Sequence, residues 1–204
     1  MNKQLFLLCL SMMAFTANAQ TMVDDFETNQ YGWTEMSNKS GIAIIKDGFI
    51  RLEAKPGEEV FSTCYAPFDF NKPFTMSVDV LDVGKFSLPV INFRQIGLLL
   101  DYEDEKNHIK FYLFRESAVL ERVVNGVIVA RKAEELKRAV ETGSGLKLEV
   151  NYTLNELSFR INGIKSLSYR RRLPQGEFML GTSGIGFYAA MSTKVSFDNL
   201  IIEQ

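Results

Sequence analysis

The sequence is poor in the residues that usually announce chemistry. It holds two cysteines, one histidine and one tryptophan in 204 residues. A structural zinc site draws four ligands mainly from Cys and His, and this chain offers too few. A Ser-His-Asp set would depend on His108, yet Gly181-Thr182-Ser183-Gly184 runs on into Ile185 and does not form a Gly-x-Ser-x-Gly elbow. The same glycine-rich stretch leads into a strand pattern rather than a helix, so it is no phosphate cradle. Charge of one sign is lacking too: 23 Lys and Arg stand against 25 Asp and Glu. Such a balance gives no electrostatic case for nucleic acid or for an anionic membrane. The longest apolar run, residues 5–15, is too short to serve as a transmembrane helix.

That run reads as the apolar centre of an export leader. Lys3 precedes it, and Ala17-Asn18-Ala19 follows as an A-x-A cleavage site. Cys9 lies deep in the run behind Leu8, not behind the small residue that lipid attachment requires. The expectation is a signal peptide over residues 1–19 and one secreted or periplasmic domain over residues 20–204. Removing the leader takes away Lys3 and no acid, leaving 22 basic against 25 acidic side chains. Only Cys64 then remains, so no intrachain disulfide forms and the core alone must hold the domain. Within Val-Phe-Ser-Thr-Cys-Tyr-Ala, Cys64 reads as a small buried hydrophobe.

What is abundant is strand chemistry. A long hairpin over residues 91–115 dominates, with an apolar run at 96–100, a polar connection at 101–107 and alternation of Ile109, Phe111 and Leu113 with Lys110, Tyr112 and Phe114. Residues 74–83 alternate as well, with Phe74, Met76, Val78 and Val80 on one face. Asp47-Gly48, Asn125-Gly126 and Asn162-Gly163 each sit between apolar runs and predict tight hairpin turns. Residues 131–140 place Ala133, Leu136, Ala139 and Val140 at helical spacing, which predicts one short surface helix. Residues 181–186 read as a glycine-rich turn. About a dozen strands, no strand–helix alternation and no linker give a single all-β domain, an antiparallel two-sheet β-sandwich.

The order of the segments GLLLDYEDEKNHIKFYL, ERVVNGVIV, LKLEVNYTLNELSFRINGI and GIGFYAAMSTKVSFDNLII resembles the concanavalin A-like lectin/glucanase superfamily, notably its laminin-G-like and sugar-hydrolase-associated bacterial members. The resemblance implies a jelly roll of two curved antiparallel sheets whose terminal strands pair, and a polysaccharide or oligosaccharide as partner. It departs from the glucanases in lacking their Glu-x-Asp-x-x-Glu strand: Glu103-Asp104-Glu105 are adjacent, not alternating, and sit in a hairpin connection. The expected role is therefore non-catalytic recognition of a glycan on the concave sheet face. A glycoside hydrolase of another design and a protein-interaction module are the alternatives.

The alternation of the second hairpin arm supplies the candidate site. If Ile109, Phe111 and Leu113 face the core, His108, Lys110 and Tyr112 share the opposite face, with Asn92 and Arg94 across from them. These five are the candidate ligand-binding residues, because charged groups such as Arg94 and Lys110 are unfavourable in a core and suit an open groove. Tyr31, Trp33 and Tyr102 are aromatics for its edge, core packing being the stronger reading of Trp33. No cofactor is required. A structural calcium ion is the candidate metal, with Asp24 and Asp198 as its ligands and Asp25 and Glu27 nearby, since hard oxygen donors gather on the two terminal strands.

Overall fold

The computed structural model describes residues 20–81, 95–136, 145–170 and 184–204. Fifteen strands cover most of them: β1 (Thr21–Asp24), β2 (Met36–Ser37), β3 (Gly41–Lys46), β4 (Phe49–Ala54), β5 (Glu59–Tyr65), β6 (Phe74–Leu81), β7 (Gln95–Asp104), β8 (Asn107–Phe114), β9 (Ser117–Val124), β10 (Val127–Glu135), β11 (Leu146–Thr153), β12 (Glu156–Ile161), β13 (Ile164–Arg170), β14 (Gly184–Ala190) and β15 (Lys194–Glu203). They build two antiparallel sheets. Sheet A has nine strands in the order β13-β12-β11-β6-β15-β4-β3-β2, with β1 also paired to β15. Sheet B has six, in the order β10-β9-β8-β7-β14-β5.

Local chemistry explains the hairpins. At each of the three dipeptide turns both residues take the left-handed conformation: Asp47 and Gly48 have φ of 56° and 75°, Asn125 and Gly126 52° and 77°, Asn162 and Gly163 49° and 75°. Those angles match the twist of the flanking strands, and Asn, Asp and Gly adopt them most readily. In sheet A, Phe74, Met76, Val78 and Val80 are almost fully buried and line the interior as the alternation predicts. Ile109, Phe111 and Leu113 of β8 face them from sheet B within the same apolar core. Rings join the layers, with Phe111 and Phe159 at 5.5 Å and Phe187 stacked on Phe197 at 4.4 Å. The result is the two-layer β-sandwich expected. Cys64 is buried in this core, and burial pushes its thiol far above the ordinary range, so it packs as a small apolar group.

β15 is the spine of sheet A. One edge runs along β6, while the other is shared by β4, beside Lys194 to Phe197, and β1, beside Leu200 to Glu203. The pairing of the terminal strands is the one the resemblance implied. It is sealed by two hydrogen bonds: Gln20 N–H donates to the Gln204 carbonyl at 3.1 Å, and Gln204 N–H donates to the Gln20 carbonyl at 2.9 Å.

Three expectations are corrected. Residues 131–135 are strand, not helix, and the ladder with β9 continues until Leu136 N–H bonds to the Glu116 carbonyl at 2.7 Å. The reason is pairing: β9 offers a full row of partners, including Glu121 opposite Arg131, and an edge strand needs no apolar face outward. The rest of that segment, residues 137–140, lies outside the described residues. The polar connection of the central hairpin shrinks to Glu105 and Lys106, because β7 runs through Asp101, at φ 49°, with a register shift between Leu100 and Asp104. Of the expected turn at 181–186, Gly184 and Gly186 belong to β14, while residues 181–183 lie outside the described residues; a Cβ on Gly184 would stand 1.8 Å from the Tyr102 carbonyl oxygen, so the strands meet there through bare backbone. The expected leader, residues 1–19, lies outside the described residues. Among those described, no helix is long and apolar enough to cross a membrane.

Candidate functional site

The outward face of sheet B is unusually closed for a sandwich surface. Leu99, Tyr112, Val119, Tyr188 and Ala190 form a second apolar cluster there, separate from the core, with Phe61, Tyr102, Phe114 and Met191 packed around it. This explains the unbroken apolar run at residues 96–100: β7 is buried on both faces. Register sets the layout. Tyr112 is flanked by Gly97 on β7 and Val119 on β9, and Lys110 by Leu99 and Glu121. On the far side Phe61 pairs with Tyr188, Thr63 with Gly186 and Tyr65 with Gly184. At Gly97 a Cβ would lie 1.9 Å from the Phe111 carbonyl oxygen and 2.7 Å from Tyr112 Cβ. The missing side chain leaves room for Tyr112 and Tyr188 to meet over it, edge to face at 5.6 Å.

Lys110 is the polar centre. Its side chain is buried, yet its Nζ lies 3.3 Å from Glu59 Oε1 and 3.7 Å from Glu121 Oε2, and 4.8 Å from the centre of the Tyr188 ring. Tyr112 Oη donates to Glu121 Oε1 at 2.9 Å, and Tyr188 Oη donates to Glu59 Oε1 at 3.0 Å and meets the Gln95 side chain. Arg131 Nε adds a partner for Glu121 at 3.4 Å. Both phenols are pushed far above their ordinary range, first by burial and then by the adjacent carboxylates, so they remain donors at every physiological pH. A buried network satisfied in this way is rigid. Its solvent-facing members are Glu59 and Arg131, with Tyr65 (66% exposed) and half-buried Phe61 and Tyr102 beside them.

His108 stands at one end of the same face, 5.8 Å from the Phe61 ring and 6.1 Å from Tyr102, nearly parallel to the latter. Its Nδ1 is 3.2 Å from the Asp104 carbonyl oxygen, which only accepts, so Nδ1 carries the proton. Nε2 is then a bare acceptor, buried and without a hydrogen-bond partner among the described residues. An unmade bond of this kind costs about 1–3 kcal/mol. Burial holds the imidazole below its ordinary pKa, the Asp104 contact partly opposing this and Lys110 adding to it.

A pH dependence follows. Unfolded, His108 takes its proton near pH 6.5; folded, it does so only at lower pH. In that window the unfolded chain binds more protons, so stability falls as pH drops below about 6.5, with a slope no steeper than about 1.4 kcal/mol per unit. Urea midpoints measured across this range check it, and the slope should flatten in His108→Phe.

Of the five candidate residues, the fold brings His108, Lys110 and Tyr112 to this one face, as the alternation predicts; Asn92 and Arg94 lie outside the described residues. The three are buried rather than lining an open groove, and the polar atoms of Lys110 and Tyr112 are used by Glu59 and Glu121. Sequence reasoning missed Glu59, Phe61, Tyr65, Gln95, Glu121, Arg131 and Tyr188. Glu121 had a signal, a lone acid inside Val-Leu-Glu-Arg-Val-Val, and the alternation of β5 puts 59, 61, 63 and 65 on one face.

The terminal-strand acids are differently employed. Asp24 is fully buried, its Oδ2 accepting the Trp33 indole N–H at 2.8 Å and its Oδ1 the Phe26 N–H at 3.0 Å. Trp33 is a core residue stacked on Phe187 at 4.9 Å. Asp198 accepts from Asn199, whose amide also donates to Asp79 at 3.1 Å; burial, with Asp79 and Asp25 near, raises its carboxyl. Among the described residues no three or more His, Cys, Asp or Glu are grouped so as to hold a metal ion.

No protein-family profile matches the chain, and no curated protein matches it in sequence. Solved structures do resemble it. A protein of unknown function with a galectin-like fold from Bacillus subtilis superposes with a TM-score of 0.63 at 12% identity, over 90% of this chain and 94% of that one. The Bacillus subtilis carbohydrate binding module CBM66 gives 0.58 at 14% identity, over 86% and 98%. SCLam, a non-specific endo-β-1,3(4)-glucanase from family GH16, gives 0.59 at 11% identity, over 94% and 93%. With two antiparallel sheets, this order of strands and paired terminal strands, the chain has the concanavalin A-like jelly-roll fold.

Proposed function

We propose that this is an exported, non-catalytic carbohydrate-binding domain that takes a glycan on the outer face of sheet B. The observation that carries the reading is the Lys110 cluster, a rigid set of polar groups with the aromatic rings of Phe61, Tyr65 and Tyr102 beside it. Rings for the apolar faces of sugars and fixed polar groups for their hydroxyls are what glycan recognition needs. The same cluster argues against hydrolysis. Two carboxylates converge there, but both are held by the Lys110 ammonium, at 3.3 and 3.7 Å, which leaves them paired rather than poised as acid and base. The carbohydrate-binding module among the similar structures supports the class of partner, and the A-x-A leader supports export.

The test is a panel of soluble glycans, neutral (β-1,3(4)-glucan, xyloglucan, galactomannan, a fructan) and anionic (pectin, alginate), run with and without a calcium chelator. At least one should retard the chain in an affinity gel, and Tyr65→Ala should weaken that binding about tenfold, the loss of one ring contact of ~1.4 kcal/mol. Tyr65 is largely exposed, so the fold should survive. Release of reducing sugar would overturn the non-catalytic reading. Loss of binding on chelation would bring Asp24 and Asp198 forward as calcium ligands. A panel-wide failure would favour protein recognition through Val127, Ile128 and Val129, which stand exposed in a row on the edge strand β10.

A further inference from the structure

Phe61 lies on β5 and His108 on β8, three strand spacings or about 14 Å apart across the sheet. Their rings nevertheless meet, leaning over β14 where Gly186 and Gly184 present no side chain. Phe61 and Tyr102 are both half-buried and both pack on the imidazole, whose Nε2 is itself buried. Turning either ring, a fast motion for a partly exposed side chain, opens an apolar slot with one bare acceptor at its end. Among the described residues that acceptor has no donor, whereas the Lys110 ammonium and the Tyr112 and Tyr188 phenols each have a partner within the cluster.

Resting on the glycan-binding reading, we propose that this slot is the specificity subsite: a sugar unit stacks its apolar face on Phe61 and Tyr102 and donates one hydroxyl to His108 Nε2, and acid releases it. The release follows from valence. With Nδ1 committed to the Asp104 carbonyl, a second proton can only go to Nε2, which converts the acceptor into a donor and abolishes the bond. The charged and titratable groups near the imidazole are Lys110 on its own strand, Asp104 and Tyr102 from β7, and Glu59 from β5. Burial and Lys110 oppose the extra positive charge while Asp104 and Glu59 favour it, so the second proton enters only below the ordinary imidazole range.

Because His108 is the sole histidine, its imidazole nitrogens can be followed by 15N NMR in the untagged chain without assignment. Each glycan of the panel is added at pH 7.5 and at pH 5.0, with near-ultraviolet circular dichroism confirming that the chain is folded at both. The expected result is that a glycan which binds shifts the Nε2 resonance, lowers the pH at which His108 titrates, and loses affinity by up to tenfold per pH unit below the free imidazole's pKa. His108→Gln, whose amide oxygen reaches the Nε2 position and does not titrate, should bind equally at both pH values. His108→Phe should not bind, while unfolding at a temperature no lower than the parent. A glycan that binds with Nε2 unshifted and equal affinity at both pH values would overturn the subsite and leave the glycan-binding reading standing. No binding by any glycan at pH 7.5 would remove both.

Discussion

Lys110→Met should lower the free energy of unfolding by about 3 kcal/mol, the cost of leaving a buried carboxylate without its partner. Methionine replaces the aliphatic stem of the lysine with little change in volume, so what is lost is the ammonium alone. Glu121, whose side chain is 6% exposed, would keep only the half-exposed Arg131 and the Tyr112 hydroxyl. The cation–π contact with Tyr188 goes as well. Urea denaturation gives the loss directly. The double variant Lys110→Met with Glu121→Gln removes both charges and should recover at least half of it, which a simple packing defect at position 110 would not permit. A single-variant loss below about 1 kcal/mol would mean that solvent screens the cluster as it does a surface ion pair.

Asp24→Ala should be of similar size, about 3 kcal/mol, for a different reason. It orphans two buried donors, the Trp33 indole N–H and the Phe26 amide, each worth about 1–2 kcal/mol when left without an acceptor. Trp33 then loses the anchor that holds it against Phe187, which in turn stacks on Phe197 of sheet A. Asp24→Asn keeps one acceptor oxygen and should fall between the variant and the parent. Since Trp33 is the sole tryptophan, its fluorescence reports both the denaturant midpoint and any loosening of the native indole.

How much of this could be read from the sequence depends on the range over which the deciding interaction acts. The dipeptide turns were legible because two residues settle their own φ angles, and the alternation of β6 because burial on one face demands it. The closing strand and the sandwich followed from the same patterns, but not the central place of β15 in its sheet. Residues 131–135 misled because helical spacing of Ala133 and Leu136 is also compatible with an edge strand, and only the partner strand β9 decides between them. Half of the candidate site was hidden for a related reason. The alternation of β8 put Lys110 and Tyr112 together, but nothing near Glu59 in sequence says that it will reach over β14 and β7 to the same ammonium, a pairing of residues 51 apart. The burial of that face was equally remote, since it arises from Tyr188 and Phe61, on strands that come together only in the finished sheet.

The hydrogen-bonded pair Gln20 and Gln204 sets the first and last described residues side by side at the end of β1 and β15, on sheet A, the layer opposite the proposed glycan face. A segment fused at either of these residues leaves from sheet A, not from sheet B. The two ends are close enough for a short peptide to join them, so the domain should tolerate circular permutation, with new termini opened at the Asn125-Gly126 turn. By the same geometry it can be spliced whole into a surface loop of a host protein, presenting sheet B outward like a grafted antenna.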